Sequence, residues 1–142
     1  MIDVTQFERD RNGLEILGRA ECMHLLGSRS IGRLGLTIGA LPSVLPVTYR
    51  LIGERIYFRT GRTERLKAAT TCAVVAFEVD YFDEENCDVW TVLVTGVTEP
   101  IEHRDIIERL ESIGVPQWAP IPQTRLVSIS TDVVTGRRLS LR

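Results

Sequence analysis

The sequence predicts a mainly β (α+β) fold, with six or seven antiparallel strands closing into a small barrel and three helices at its margins. Three observations predict it. Runs rich in β-branched and aromatic residues recur along the chain, as at 73–79 and 89–98. Most links between them are short and carry turn chemistry, as at Gly53-Glu54 and Thr135-Gly136. Strands and helices do not alternate in βαβ order, which argues against a doubly wound parallel sheet. With 142 residues the chain is read as a single domain, 1–142, long enough for a real core.

Taken in order, residues 1–13 are polar and end on Asn12-Gly13, a loose or strand-like arm. Residues 14–26 place Ile16, Ala20 and Met23 at helical spacing, with Leu17 and Leu26 flanking, and Gly27-Ser28 closes the helix. Residues 31–38 read as a strand, and 39–42 as a hairpin link. Residues 43–52 and 55–60 are the next two strands. A short helix over 63–71 carries Leu66 and Ala69 on one side and its cations on the other. The nearly continuous apolar run 73–79 predicts a central strand. Residues 80–88 form an acidic loop without the alternating Asp/Asn series and glycine of a calcium loop. Residues 89–98 alternate cleanly as a strand. Ile106, Leu110 and Ile113, with Ile107 beside them, give a helical stripe stopped by Gly114 and Pro116. A proline-rich loop follows at 117–122, then two last strands, 125–134 and 137–141, joined at Thr135-Gly136.

Composition excludes several classes. Hydrophobic residues make up 44% and charged residues 25%, ordinary for a globular protein. The net charge of −2 lacks the basic footprint of a nucleic-acid binder. No apolar run approaches the roughly 18–20 residues that span a bilayer, so no membrane partner is expected. The charged opening stretch has no apolar signal core, and cytoplasmic residence is expected. Cys22, Cys72 and Cys87 are widely spaced, form no CxxC pair, and find no metal-ligand pattern with His24 or His103. They read as buried or semi-buried thiols in a reducing compartment.

The stretch 45–67 concentrates the candidate chemistry. Pro46, Val47, Thr48 and Tyr49 alternate as a strand. Beyond the turn at Gly53-Glu54, a second strand runs into Arg59, Thr60 and Gly61. Arg62, Arg65 and Lys67 then surround the start of a helix. A helix N-terminus offers unpaired N–H groups to an anion, and the cations add charge-assisted donors, so the loop is read as holding a cofactor's phosphate. The competing reading is a solvated helix face.

In order and spacing these pieces resemble the pyridoxamine 5′-phosphate oxidase-like superfamily of flavin-binding split barrels, particularly its short actinobacterial branch. The resemblance runs from about Glu21 to Leu141. It is carried by Glu21-Cys22-Met23-His24, Ile31-Gly32-Arg33-Leu34, Leu45-Pro46-Val47-Thr48-Tyr49 and Ile56-Tyr57-Phe58-Arg59-Thr60. Val75-Ala76-Phe77-Glu78-Val79, Trp90-Thr91-Val92 and Val134-Thr135-Gly136-Arg137-Arg138 continue it. The resemblance implies a split β-barrel homodimer with FMN, or a related flavin, in a groove at the subunit interface. The strand matching Pro46 to Tyr49 would lie along the isoalloxazine, and the stretch from Arg59 to Arg65 would hold the phosphate. Relatives commonly carry Lys at the position of Arg65, and Trp-Ser-Val at that of Trp90-Thr91-Val92; charge and hydroxyl are both kept here. Trp118 matches an aromatic that some relatives place near the ring.

The cofactor-binding set is therefore Pro46, Val47, Thr48, Tyr49, Arg59, Thr60, Arg65, Lys67, Trp90 and Thr91, with no metal ligand. Arg50 and Arg59 are candidates to stabilise reduced flavin if they face inward. The expected activity is a flavin-dependent oxidoreductase passing hydride to a small-molecule electron acceptor; the residues name no catalytic acid or base. Two alternatives stay open: a deazaflavin-dependent reductase using the same groove, and a non-catalytic flavin- or haem-binding or sensing protein.

Overall fold

The structure is a computed structural model describing residues 8–115 and 124–140. Its elements are β1 (Glu15–Leu17), α1 (Arg19–Gly27), β2 (Ile31–Ile38), β3 (Leu41–Ile52), β4 (Arg55–Gly61) and α2 (Glu64–Ala69). After these come β5 (Val74–Asp83), β6 (Asp88–Pro100), α3 (Arg104–Ile113), β7 (Thr124–Ser130) and β8 (Val133–Ser140). The strands follow the order β1-β8-β6-β5-β2-β3-β4-β7, and β7 also pairs with β6. Every strand pair among the described residues is antiparallel. Six strands, β6-β5-β2-β3-β4-β7, thus close a ring, and β8 and β1 extend it from β6. The expectation of a mainly β barrel of six or seven strands with marginal helices holds, with β1 as the strand it lacked.

Three local readings need correction. Residues 14–26 are not one helix: Glu15–Leu17 pairs with Gly136, Arg137 and Arg138 of β8, and the helix starts only after extended Gly18. The ladder and the burial of Leu17 outweigh the helical spacing of Ile16 and Ala20. Thr135-Gly136 is no turn. It lies inside β8, where a Cβ on Gly136 would stand 2.6 Å from Cys22 Sγ, so the glycine admits α1 onto the sheet. The reversal comes instead at Thr131-Asp132. Finally, β5 runs on through Asp80, Tyr81 and Phe82, paired with Thr91, Trp90 and Val89, which leaves only a short acidic turn. Asp83 shapes that turn by accepting the N–H groups of Glu85 and Asn86. The stretch 117–122, Trp118 and the first half of the arm lie outside the described residues; Arg9 forms a bridge with Glu15.

The period of two sends Val47, Tyr49, Ile56, Phe58, Phe77, Val79, Val92, Val94, Val127 and Ile129 into the barrel. The Tyr49 ring meets Phe77 edge-on, 4.9 Å between centroids. Its hydroxyl donates to the Leu26 carbonyl, one of the last carbonyls of α1, which have no partner within the helix. Burial pushes the Tyr49 phenol well above its usual range, so it stays a donor at all working pH. Tyr49→Phe is expected to cost about 1–2 kcal/mol by leaving that carbonyl buried and unmet, read as a lower urea midpoint at constant slope. A second cluster seats Leu110 and Ile107 of α3 on Ile52, Tyr57 and Leu126, on the outer face of β3, β4 and β7.

Candidate functional site: the fork between β3 and β4

β3 changes partner along its length. From Leu41 to Thr48 it pairs with β2, and from Tyr49 to Ile52 with β4. Beyond the Tyr49–Phe58 pair, β4 continues along β7 through Gly61 while β3 continues along β2, so the two part as a fork. The Tyr49 N–H donates to the Ser30 carbonyl at 3.0 Å, which fixes the phase of the ladder. In antiparallel pairing successive residues turn their N–H and C=O to opposite edges, so Val47, Leu45 and Ser43 face β2 while Pro46, Val44 and Pro42 face the fork. Among the described residues no strand pairs with β3 on that side from 41 to 47. Both prolines fall on this edge, where no N–H is asked of them. The edge presents the carbonyls of Pro46 and Val44 and the Val44 N–H.

At the mouth of the fork β4 runs into α2, which packs against β2 and β4. The loop is clamped by the start of β7. Thr124 accepts Arg62 Nε on its carbonyl at 3.2 Å and Arg59 Nη1 on its hydroxyl at 3.5 Å. Arg125 donates through Nη2 to the Lys67 carbonyl at 2.9 Å, to Thr70 Oγ1 at 2.7 Å and to Thr71 Oγ1 at 3.2 Å. Between these anchors Arg65 is exposed and has no hydrogen bond or ion pair among the described residues. Lys67 stands 3.8 Å from Glu64.

The predicted residues distribute as follows. The side chains of Val47 and Tyr49 are buried in the core, so only the backbone of this strand is offered to a ligand. Thr48 and exposed Pro46 face outward. Thr60 is buried. Arg50 faces outward and donates to the carbonyls of Ile113 and Gly114, while Arg59 Nε donates to the Val115 carbonyl at 3.3 Å. Both tie the end of α3 to the sheet. The expected helix over 63–71 is only six residues long, and Thr63 Oγ1 already accepts the Leu66 N–H. Any phosphate contact here would therefore rest on cationic side chains and not on a helix terminus. Trp90 is buried against Tyr81, at 6.2 Å between centroids, and Thr91 is exposed on the outer face. β2 and β5 lie between β3 and β6, so at about 4.8 Å per strand Trp90 and Thr91 stand roughly 14 Å from the fork within one chain. Arg125 is the residue the sequence did not offer: its bonds to α2 span 54–58 positions, and no local signal marks them. Among the described residues no His, Cys, Asp or Glu cluster could hold a metal, and of the three cysteines expected to be at least half-buried only Cys22 is, Cys72 and Cys87 being exposed.

The outer face of β3-β2-β5-β6-β8 exposes Val44, Val74, Phe82, Leu93 and Val133 beside Arg33, Asp80 and Thr91. Glu78 sits among them with Oε1 buried, without a hydrogen-bond partner among the described residues and 3.6 Å from Arg33 Nη1. Burial, then the neighbouring Asp80, push its carboxyl up to about 7. The unfolded carboxyl ionises near 4.5. Between those values the native state holds the extra proton, so this group's contribution to stability falls as pH rises toward 7. Glu78→Gln is expected to flatten that decline, seen as urea midpoints at pH 5 and pH 8 lying closer together than in wild type. Equal slopes in both proteins would refute it.

This architecture, a six-stranded antiparallel ring with a fork between two of its strands and a cationic loop at the mouth, defines a split β-barrel. The pyridoxamine 5′-phosphate oxidase family matches residues 18–138, and the chain belongs to that family. An uncharacterized protein of Mycobacterium tuberculosis is 31% identical over 128 residues, covering 87% of this chain and 84% of its own. A Corynebacterium glutamicum crystal structure superposes with a TM-score of 0.80 at 26% identity, covering 90% of this chain and 99% of that one. The FAD-binding protein of Mycobacterium smegmatis superposes with a TM-score of 0.73 at 27% identity, covering 87% and 98%.

Proposed function

We propose that this chain binds FMN, or a close flavin relative, in the β3–β4 fork and serves as a flavin-dependent oxidoreductase for a small-molecule electron acceptor. The observation that carries the reading is the junction of a strand edge and a cation, Arg65, neither of which has a partner among the described residues. An isoalloxazine is flat and apolar with a polar rim, which suits the backbone edge from Val44 to Thr48. A phosphate suits Arg65, exposed in the first turn of α2. The name of the Mycobacterium smegmatis relative, an FAD-binding protein, supports a flavin.

When bound, the flavin supplies the redox chemistry, taking up and releasing a hydride. The chain's own residues bind and orient it. The strand edge fixes the ring plane, Arg65 anchors the tail, and the buried side chains of Val47 and Tyr49 keep the edge rigid beneath it. A second copy placed on the outer face of β3-β2-β5-β6-β8 would complete the groove and bring its own exposed residues toward the fork; the exposed Val44, Leu93 and Val133 support such a homodimer.

The test is a spectral titration of purified protein with FMN, FAD and a deazaflavin, followed by turnover with reduced nicotinamide and an artificial acceptor. Saturable perturbation of the FMN spectrum with turnover supports the proposal. Preference for the deazaflavin would reassign the cofactor, binding without turnover would make the protein a carrier or sensor, and no perturbation by any of the three would refute the reading.

A further inference from the structure

We infer that Arg125, on β7, is a positioning residue that holds the cofactor-anchoring loop in the geometry that admits a phosphate. The inference rests on the flavin reading and extends it to a residue that would not touch the ligand. Arg125 is the register partner of Thr60, so its side chain lies on the same face of the β4–β7 ladder as that buried hydroxyl. From there its guanidinium reaches α2 and donates to three oxygens, the Lys67 carbonyl and the hydroxyls of Thr70 and Thr71. Those hydroxyls are themselves bonded back to the helix, Thr70 to the Leu66 carbonyl at 2.6 Å and Thr71 to the Lys67 carbonyl at 2.5 Å. Arg125 therefore grips a closed set of bonds and not one loose side chain.

The charge also suits its place. A cation at the last turn of a short helix meets carbonyls that have no partner further along. α2 is only six residues long and could not hold its own orientation in water. Thr124, the preceding residue, holds Arg62 and Arg59. Two consecutive residues of β7 thus fix both ends of the segment that presents Arg65. Nε of Arg125 is buried with no acceptor among the described residues, a desolvation cost accepted where the remaining bonds fix a geometry.

The experiment measures FMN and riboflavin affinities of wild type, Arg125→Met and Arg125→Lys by flavin fluorescence quenching. Riboflavin shares the ring and lacks the phosphate, so the ratio of the two affinities reads the loop and not the barrel. In Arg125→Met the preference for FMN over riboflavin is expected to fall about tenfold, with riboflavin affinity changing less than about threefold. Arg125→Lys keeps the charge and enough donors for the three oxygens but carries them on a shorter side chain without the planar guanidinium, and its ratio is expected to fall between the two. If the methionine variant fails to fold, the lysine variant alone decides. Equal loss of both ligands would mean a general structural role and overturn the inference, as would an unchanged ratio. Wild type that binds neither flavin would overturn the flavin reading itself, and with it this one.

Discussion

Arg65→Ala is expected to weaken FMN binding by about 10- to 100-fold while leaving riboflavin binding nearly unchanged. A hydrogen bond to a charged group contributes about 1.5–3 kcal/mol, and about 1.4 kcal/mol is a factor of ten. Exposure of Arg65 to solvent keeps the expected loss below the top of that range. Because Arg65 makes no bond or ion pair with described residues, its removal leaves no buried partner unmet, and thermal stability without ligand is expected to stay within about 0.5 kcal/mol of wild type. Isothermal titration with both ligands checks it. Unchanged FMN affinity would remove Arg65 from the phosphate site, and equal loss of riboflavin would show that it serves the ring instead.

The largest effect on folding is expected at Gly96. β6 leaves β8 after Thr95 and joins β7 from Thr98, so Gly96 lies where the strand exchanges partners and the barrel closes. A Cβ there would fall 1.8 Å from the Ser130 carbonyl oxygen and 2.9 Å from Ile129 Cγ2. The obstacle is backbone, which cannot swing aside as a side-chain tip can. Gly96→Ala is therefore expected to cost about 3 kcal/mol or more, lowering Tm by about 10 °C or preventing folding. Gly18→Ala is the control: no atom lies within 4 Å of its Cβ position, its backbone is extended with φ −74°, and the change is expected to stay within about 1 kcal/mol. Similar Tm values for the two variants would mean that β6 and β7 do not close as described.

Much of the barrel was legible because period-two burial is written locally. The run 73–79 and the alternation over 89–98 announce β5 and β6, and Gly53-Glu54 announces the hairpin between β3 and β4. What misled were residues whose role is set by a distant neighbour. Gly136 looks like turn chemistry, yet its lack of a Cβ makes room for Cys22 of α1. Ile16 and Leu17 have helical spacing, yet β8 recruits them. The same division runs through the site. The crowding of cations at 59–67 is plain from the sequence, but which remain available is not. Arg59 is drawn to Val115 and Arg62 to Thr124, while Arg65 makes no such bond among the described residues, an outcome decided by α3 and β7. Trp90 and Thr91 match the family pattern but sit two strands from the fork, so any part they take in the site depends on a second chain.

Native mass spectrometry of the protein before and after addition of excess FMN decides whether paired chains hold a flavin. A species of two chains carrying two flavins is expected, with the Arg65→Ala protein remaining a two-chain species that holds its flavin weakly. A single chain with no flavin adduct at saturating FMN would contradict that expectation.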